Sequence, residues 1–170
     1  NIMHMSNMFY ACEKFNQPLN QWNVSKVKTM NSMFSDCTNF HQSINSWDTS
    51  NVINMERMFY KCENYNKPLN NWKTLKVKTM NLMFLECKNF NQRLDKWNVS
   101  NVKNMFGMFA ETKKFNQSLN NWNVSNVKNM SGMFYNAKYF NQPLNHWKTS
   151  NLYEKFEMFD GALSFNQDTS

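Results

Sequence analysis

The sequence has few of the residues that usually interrupt regular structure. Its 170 residues include only three Gly and three Pro, which excludes collagen-like chains and flexible linkers. No apolar run approaches the roughly 20 residues that a transmembrane helix needs, so we predict no membrane span. The opening NIMHMSNMFY lacks the charged and then apolar pattern of a signal peptide. It indicates a piece excised from a longer protein.

Aromatic residues and Met are abundant instead. Aromatic side chains make up 16% of the chain, and there are 14 Met. This apolar content argues against disorder. A chain of this length can bury about 70% of its surface on folding. We therefore expect one folded domain over residues 1–170.

The chain is a tandem 25-residue repeat without an insertion. We call each 25-residue unit a coil, and a set of equivalent residues in successive coils a column. The clearest column is Trp22, Trp47, Trp72, Trp97, Trp122 and Trp147. The spacing predicts about seven stacked coils, of which the first and last are incomplete, each contacting only its neighbours.

The apolar spacing within a coil predicts a strand and then a helix. Trp22 and Val24 alternate with polar neighbours, as in a strand with one buried face. The apolar residues of 27–37 follow at steps of three, three, one and three, with Ser25 placed as an N-cap. The sequence therefore predicts an α/β repeat solenoid, right-handed, with one short parallel strand and one short helical segment per coil. A parallel β-helix is the alternative, which the steps of three disfavour.

The four cysteines share one column. Cys12, Cys37, Cys62 and Cys87 are followed in it by Thr112, Ala137 and Ala162. The column therefore selects small side chains, and we expect buried free thiols. Disulfides between neighbouring coils are the alternative that the distance would allow. The Met and Trp columns are likewise expected in the core, in preference to a copper site or a stacking platform for sugars or bases.

No catalytic motif is present in the sequence. A Gly-rich phosphate loop, a nucleophile elbow and a paired His-Glu motif are all missing. The three histidines are scattered, and the repeat spacing of the cysteines is not that of zinc ligands. We predict that the protein is not an enzyme and that it has no metal or cofactor.

Two Asn columns, which begin at Asn16 and Asn20, are expected to bind backbone groups. An Asn side chain can both donate to and accept from the unpaired backbone of a loop. Repeated in each coil, such bonds would form a ladder. A polar row that binds a ligand is the alternative.

Recognition is expected in the two variable outward columns on either side of the Trp column. Solenoids usually bind partners on such a concave face, although it could also be a merely solvated sheet face. The candidate contact residues are Asn71, Lys73, Lys96, Asn98, Asn121, Asn123, His146 and Lys148.

A basic column supplies a second candidate surface. It contains Lys28, Lys78, Lys103 and Lys128. Such a stripe could bind a phosphate backbone, an anionic membrane or a glycan. Nucleic-acid binding is disfavoured because the chain has only two Arg, the residue preferred for bidentate phosphate and base contacts. The lysines could also serve solubility alone.

The unit F-N-Q-P-L-N-x-W-x-[VT]-S-N-V-x-x-M-x-x-M-F-x-x-C resembles a family of 25/26-residue repeats. These repeats occur in bacterial surface proteins and lipoproteins, notably of mycoplasmas, and in some large DNA viruses and protists. Residues 115–134 and 140–159 match the unit most completely. The family is similar in turn to the BspA-like leucine-rich repeats, in which Ala-Phe-x-x-Cys stands where Met33-Phe34-x-x-Cys37 stands here. The resemblance implies a leucine-rich-repeat-like solenoid on a cell surface, outside the cell or on a virus particle.

We therefore expect a non-enzymatic, surface-displayed scaffold that binds a protein or glycan, as adhesion modules do. One alternative is a structural spacer or coat component of a cell or virus particle that associates end to end. A second alternative is nucleic-acid binding through the Lys column.

Overall fold

A computed structural model describes residues 2–168, which wind into stacked 25-residue coils. A single parallel β-bridge joins each coil to the next, so the coils align in register. The bridge column is His4, Thr29, Asn54, Thr79, Asn104, Asn129 and Glu154. Over residues 2–168 the backbone forms no helix, and its only β-structure is these isolated bridges. None of these residues therefore forms a helix that could span a membrane.

The predicted strand and helix of each coil are wrong. At the expected strand, residues 19–22 form a β-turn in which Trp22 N–H donates to Leu19 C=O at 3.0 Å. At the expected helix, Met33 N–H donates to Met30 C=O at 3.1 Å, three residues back, while Phe34 N–H donates to the next coil. The leucine-rich-repeat-like α/β solenoid is thus replaced by coils of consecutive β-turns. Such turns can direct apolar side chains inward at the same steps of three.

Two residues in every coil have a left-handed backbone conformation. Their columns begin at Asn7 and Ala11, and φ lies between 51° and 71°. Each is the third residue of a β-turn, as in the bonds from Met8 N–H to Met5 C=O and from Cys12 N–H to Phe9 C=O. A positive φ at this place is typical of a type II turn. An α-helix cannot continue through such residues, because left-handed geometry brings Cβ too close to the following carbonyl oxygen.

Alternate N–H groups of the same segment bond to the next coil. Four N–H groups per coil donate to carbonyl oxygens of the coil that follows. In one coil these bonds join Met30 to Asn54, Ser32 to Glu56, Phe34 to Met58 and Asp36 to Tyr60, at N–O distances of 2.8 to 3.0 Å. Neighbouring coils are therefore held together by backbone bonds, whatever their side chains.

Aromatic side chains fill the interior in three columns. Rings of the column that begins at Phe9 follow each other with centroids 5.5–5.8 Å apart. Each also stacks at 4.0–4.4 Å on the aromatic ring six residues later. The inner Trp rings are buried, and Trp72 Nε1 donates to Ile44 C=O at 3.0 Å. The prediction that the Trp and Met columns form the core is confirmed, except in the end coils, where Trp22 and Met8 are exposed.

The Cys column forms no disulfide, and three of its members are buried. Cys37, Cys62 and Cys87 lie in the core, whereas Cys12 is exposed, so the expectation of buried free thiols fails only there. Cys62 Sγ donates to Phe34 C=O at 2.8 Å, and Thr112 Oγ1 makes the equivalent bond to Phe84 C=O at 2.6 Å. Burial raises the pKa of Cys37 to about 12 and holds the pKa values of Cys62 and Cys87 well above their ordinary value.

These thiols predict a loss of stability at alkaline pH. The folded state keeps them protonated, whereas unfolding frees them to ionise near the ordinary pKa of 9.0. The free energy of unfolding should therefore be unaffected by the thiols below about pH 9. Above it, stability should fall towards pH 12, by up to about 1.4 kcal/mol per pH unit for each buried thiol. Guanidinium unfolding followed by Trp fluorescence measures this.

The control is a variant with Cys37→Thr, Cys62→Thr and Cys87→Thr. Thr is chosen because Thr112 occupies the equivalent position in its own coil. This variant should lose much less stability than the unmodified protein between pH 9 and pH 10. The comparison ends at pH 10 because this is the ordinary pKa of the buried Tyr65 hydroxyl, whose pKa burial also raises. Identical profiles for the two proteins would contradict the prediction.

The left-handed residues predict a stabilising substitution. Ser32 has φ of 53° and is half-buried. A left-handed non-Gly residue costs about 1–2 kcal/mol, more than the 0.5–1 kcal/mol that Gly costs through chain entropy. Ser32→Gly should therefore raise the free energy of unfolding by about 0.5–1 kcal/mol in denaturant titration. Ser43→Gly, at an exposed position outside the left-handed columns, should lower it; equal effects of both would refute the explanation.

Candidate binding surface

One eight-residue segment of each coil carries both candidate surfaces. We call these segments together the Lys-rich face; they are residues 21–28, 46–53, 71–78, 96–103, 121–128 and 146–153. The predicted basic column lies here, and its lysines are exposed. The backbone fixes their spacing, because Lys103 N–H donates to Lys78 C=O at 2.8 Å and Lys128 N–H to Lys103 C=O at 2.9 Å. Three lysines thus lie on three successive coils.

The eight predicted contact residues are all exposed and fall into two groups of four. Asn71, Lys73, Lys96 and Asn98 line a shallow depression of about 590 Å³. Asn121, Asn123, His146 and Lys148 line a second one, of about 390 Å³. Trp72 and Trp122 contribute to the lining of the respective depressions. The structure therefore brings the candidates together, although on β-turns and the short links between them, and not on the concave sheet face that the sequence predicted.

The Asn20 column holds the β-turns that carry these residues. Asn70 Oδ1 accepts the N–H of Lys96 at 3.1 Å, and Asn120 Oδ1 accepts the N–H of His146 at 3.0 Å. Each Asn thus satisfies a backbone donor of the next coil. The predicted ladder is confirmed at Asn45, Asn70 and Asn120 of this column.

The Asn16 column forms a second ladder. Asn116 Oδ1 accepts both the N–H of Asn141, at 2.9 Å, and a bond from Nε2 of Gln142, at 3.1 Å. Asn91 and Asn141 repeat this pattern in their own coils. Because the amide oxygens are used internally, the column acts as scaffold.

Two of the eight candidate residues have a structural task as well. Asn98 Oδ1 accepts the N–H of Ser100 at 3.1 Å and its hydroxyl at 2.7 Å, and Asn123 binds Ser125 in the same way. These are Asx-turns. Ser100 and Ser125 therefore each receive a side-chain cap from the Asn two residues earlier. The prediction that the Ser column caps a helix is wrong.

The other six candidates keep their side chains largely available. Lys73 Nζ lies 3.7 Å from Asp48 Oδ1, a solvent-exposed ion pair of small energetic value. Bonds from Ser50 hold the pKa of the Asp48 carboxyl below its ordinary value, so it stays ionised at neutral pH. The side chains of Asn71, Lys96, Asn121, His146 and Lys148 form no hydrogen bond or ion pair with residues 2–168.

A third depression is largely apolar, and the sequence did not predict it. Leu82, Leu85, Phe106, Tyr135 and Phe156 line a space of about 520 Å³. Its floor depends on Gly107, because a Cβ there would lie 2.7 Å from Leu82 Cδ2. The sequence signal was the column that changes from Ser6, Asn31, Glu56 and Asn81 to Phe106 and Phe156. The predicted strand and helix gave no reason to expect these side chains to meet.

Metal-binding chemistry finds no support in the described part of the chain. It contains no group of three His, Cys, Asp or Glu side chains placed to hold an ion. The depressions of the Lys-rich face offer amides, ammonium groups and one imidazole, which suit hydrogen bonding and charge pairing with a polar ligand.

The comparisons with known proteins identify a repeat family. The family model described as "Mycoplasma protein of unknown function, DUF285" matches residues 1–87 and residues 67–170. The two matches overlap and together span the sequence. Neither a curated protein nor a solved structure matches the chain.

The Asx-turns predict a difference between two neighbouring Asn residues. Asn123→Ala removes the acceptor for Ser125 and should lower the free energy of unfolding by about 1 kcal/mol. Asn121→Ala changes an equally exposed residue without such bonds and should stay within about 0.5 kcal/mol. Thermal and denaturant unfolding of both variants measures this. A smaller effect at Asn123 than at Asn121 would contradict the structural assignment.

Proposed function

The chain belongs to the DUF285 family, described as mycoplasma proteins of unknown function, and from this premise we propose that it is a non-enzymatic binding scaffold. It presents the two depressions of the Lys-rich face to a protein or glycan. One observation carries the proposal: the variable, exposed side chains converge in these depressions on a backbone that neighbouring coils fix. Side chains held in this way bind with a reduced entropic cost.

The spacing of the depressions favours a repetitive partner. Equivalent residues of the two depressions, such as Asn71 and Asn121, lie two coils apart. Two weak contacts on one rigid body reinforce each other when a single partner reaches both. A repeating polymer or a densely covered surface meets this condition more readily than a small molecule.

The chemistry of the depressions favours binding over catalysis. His146 is the only imidazole that lines either of them, and no carboxylate or thiol stands beside it there among the described residues. General acid–base and nucleophilic catalysis use such pairs of groups. The lining is instead suited to holding a ligand in place.

Display on a cell or particle surface belongs to the same proposal, as does kinship with the BspA-like leucine-rich repeats. Its support is the sequence element Met33-Phe34-x-x-Cys37, which stands where those repeats have Ala-Phe-x-x-Cys. A binding scaffold for another protein or a glycan would work at such a location.

A second candidate function is end-to-end assembly as a spacer or coat component. At one end Met8 and Trp22 are 40% and 38% exposed, whereas their equivalents in the inner coils are buried. At the other end Met158 and Phe159 are only partly buried. A further coil, of the same polypeptide or of a second copy, would cover these side chains and remove apolar surface from water.

Charge reversal in the depressions should weaken partner binding without unfolding the protein. We predict that the triple variant Lys73→Glu, Lys96→Glu, Lys148→Glu loses at least about tenfold in affinity, with nearly unchanged thermal stability because all three lysines are exposed. The measurement is binding to an array of glycans, extracellular-matrix proteins and single-stranded RNA at physiological salt.

The matched control is Lys113→Glu, Lys114→Glu, Lys138→Glu, which reverses three exposed lysines outside the Lys-rich face. Equal losses in the two triple variants would overturn the assignment of the site. An array without binding, together with concentration-dependent sedimentation, would favour assembly instead.

A further inference from the structure

The net positive charge of the protein lies in the residues of the Lys-rich face. The chain has a formal net charge of +7. The Lys-rich face contains nine lysines and a single acid, Asp48, and therefore carries +8, so the rest of the chain carries −1. The nine are Lys26, Lys28, Lys73, Lys76, Lys78, Lys96, Lys103, Lys128 and Lys148. All of them are exposed.

The lysines of the face other than Lys26 have few groups that neutralise their charge. Its one acid, Asp48, forms an ion pair with Lys73 whose partners are 3.7 Å apart. Lys76 Nζ binds the neutral amide oxygen of Asn51 at 2.6 Å. Two ion pairs outside the face are shorter, Lys88 with Glu63 at 2.8 Å and Arg93 with Asp95 at 3.0 Å. The face thus presents an unbalanced positive potential to an incoming ligand.

The stacking gives this charge a linear order. Lys78, Lys103 and Lys128 lie on three successive coils, joined by backbone bonds of 2.8 and 2.9 Å. Neighbouring backbones held by such bonds lie about 4.8 Å apart. A linear polymer that runs along the stack and carries regularly repeated anions therefore meets lysines on coil after coil.

The groups between the lysines suit a sugar better than a nucleic acid. Asn71, Asn121 and His146 can donate to and accept from hydroxyl groups. Sequence-independent nucleic-acid binding uses exposed aromatic rings on which bases stack, whereas Trp72 and Trp122, which line the two depressions, are 2% exposed. The exposed rings of the face, Trp22 and Tyr153, lie only in its first and last segments. The face also contains no Arg, the residue that pairs with phosphate in a bidentate manner.

We infer that the Lys-rich face binds a linear polysaccharide that carries carboxylate or sulfate groups, laid along the stack of coils. The inference rests on the proposed function, that this face is the contact surface, and names the class of partner. The lysines supply the attraction, and the amides and His146 supply the contacts to hydroxyl groups. Because each exposed charge pair is weak, affinity should grow with polymer length and fall as salt screens the charges.

The test is calorimetric titration of the folded chain with four polymers of similar length. Heparin presents sulfate and carboxylate, polygalacturonate presents carboxylate alone, dextran is neutral, and poly(U) presents phosphate with bases. We expect saturable binding of heparin and polygalacturonate, weaker binding of poly(U) and none of dextran. The comparison of the two acidic polysaccharides decides which anion the face prefers.

Two sets of variants assign the binding to the face. Lys78→Gln, Lys103→Gln, Lys128→Gln should reduce affinity for the acidic polysaccharides at least about tenfold, while the same substitutions at Lys113, Lys114 and Lys138 should not. The corresponding Lys→Arg triple keeps the charge and should retain binding, which separates loss of charge from misfolding. Asn121→Ala with His146→Ala should weaken polysaccharide binding and leave poly(U) binding unchanged.

The outcomes separate the inference from the function on which it rests. Tighter binding of poly(U) than of polygalacturonate would show that the partner is a nucleic acid and not a polysaccharide. Binding of dextran as strong as that of the acidic polymers would overturn the role of charge. Failure of all four polymers would overturn the inference, while an array partner that is lost on Lys73→Glu, Lys96→Glu, Lys148→Glu would still uphold the binding scaffold.

Discussion

The hydrogen bonds from alternate N–H groups of one coil to carbonyl oxygens of the next coil determine the rest of this structure. They place each coil directly on its neighbour, as from Phe34 to Met58. The intervening residues must then turn sharply, which the left-handed columns beginning at Asn7 and Ala11 accomplish. Aromatic stacking, the Asn ladders and the ordered lysines all follow from this register, because each needs equivalent residues to meet.

The sequence allowed the stacking to be predicted but not the local backbone. Strict columns such as Cys12 to Cys87 identified the period, the core and the small-residue site, since burial selects size and polarity directly. The secondary structure was wrong because apolar steps of three serve a helix and a row of β-turns equally. The left-handed positions could not be recognised by Gly in the sequence, because 11 of the 14 are not Gly, among them Arg57 and Leu82.

The candidate surface could be predicted further than the fold that carries it. The exposure of Lys96 and His146 was predicted from the alternation of polar residues with the Trp column. This alternation holds in a β-turn as it does in a strand. Two other features of the surface could not be predicted. The Asx-turn of Asn98 arises from a local bond to Ser100 that competes with the predicted helix cap. The apolar depression at Phe106 requires contacts between four coils, which a comparison of single columns does not combine.

The uniform register makes one whole coil the natural unit of change for this protein. Removing a complete coil joins two equivalent backbones, so every column simply closes up and the interior remains continuous. Removing a single residue shifts every later column out of line with the earlier ones, and buried aromatic rings then meet polar neighbours. Lengthening or shortening by whole coils is therefore the form of variation that the architecture tolerates best. Each such step would extend or trim the row of lysines without redesigning it.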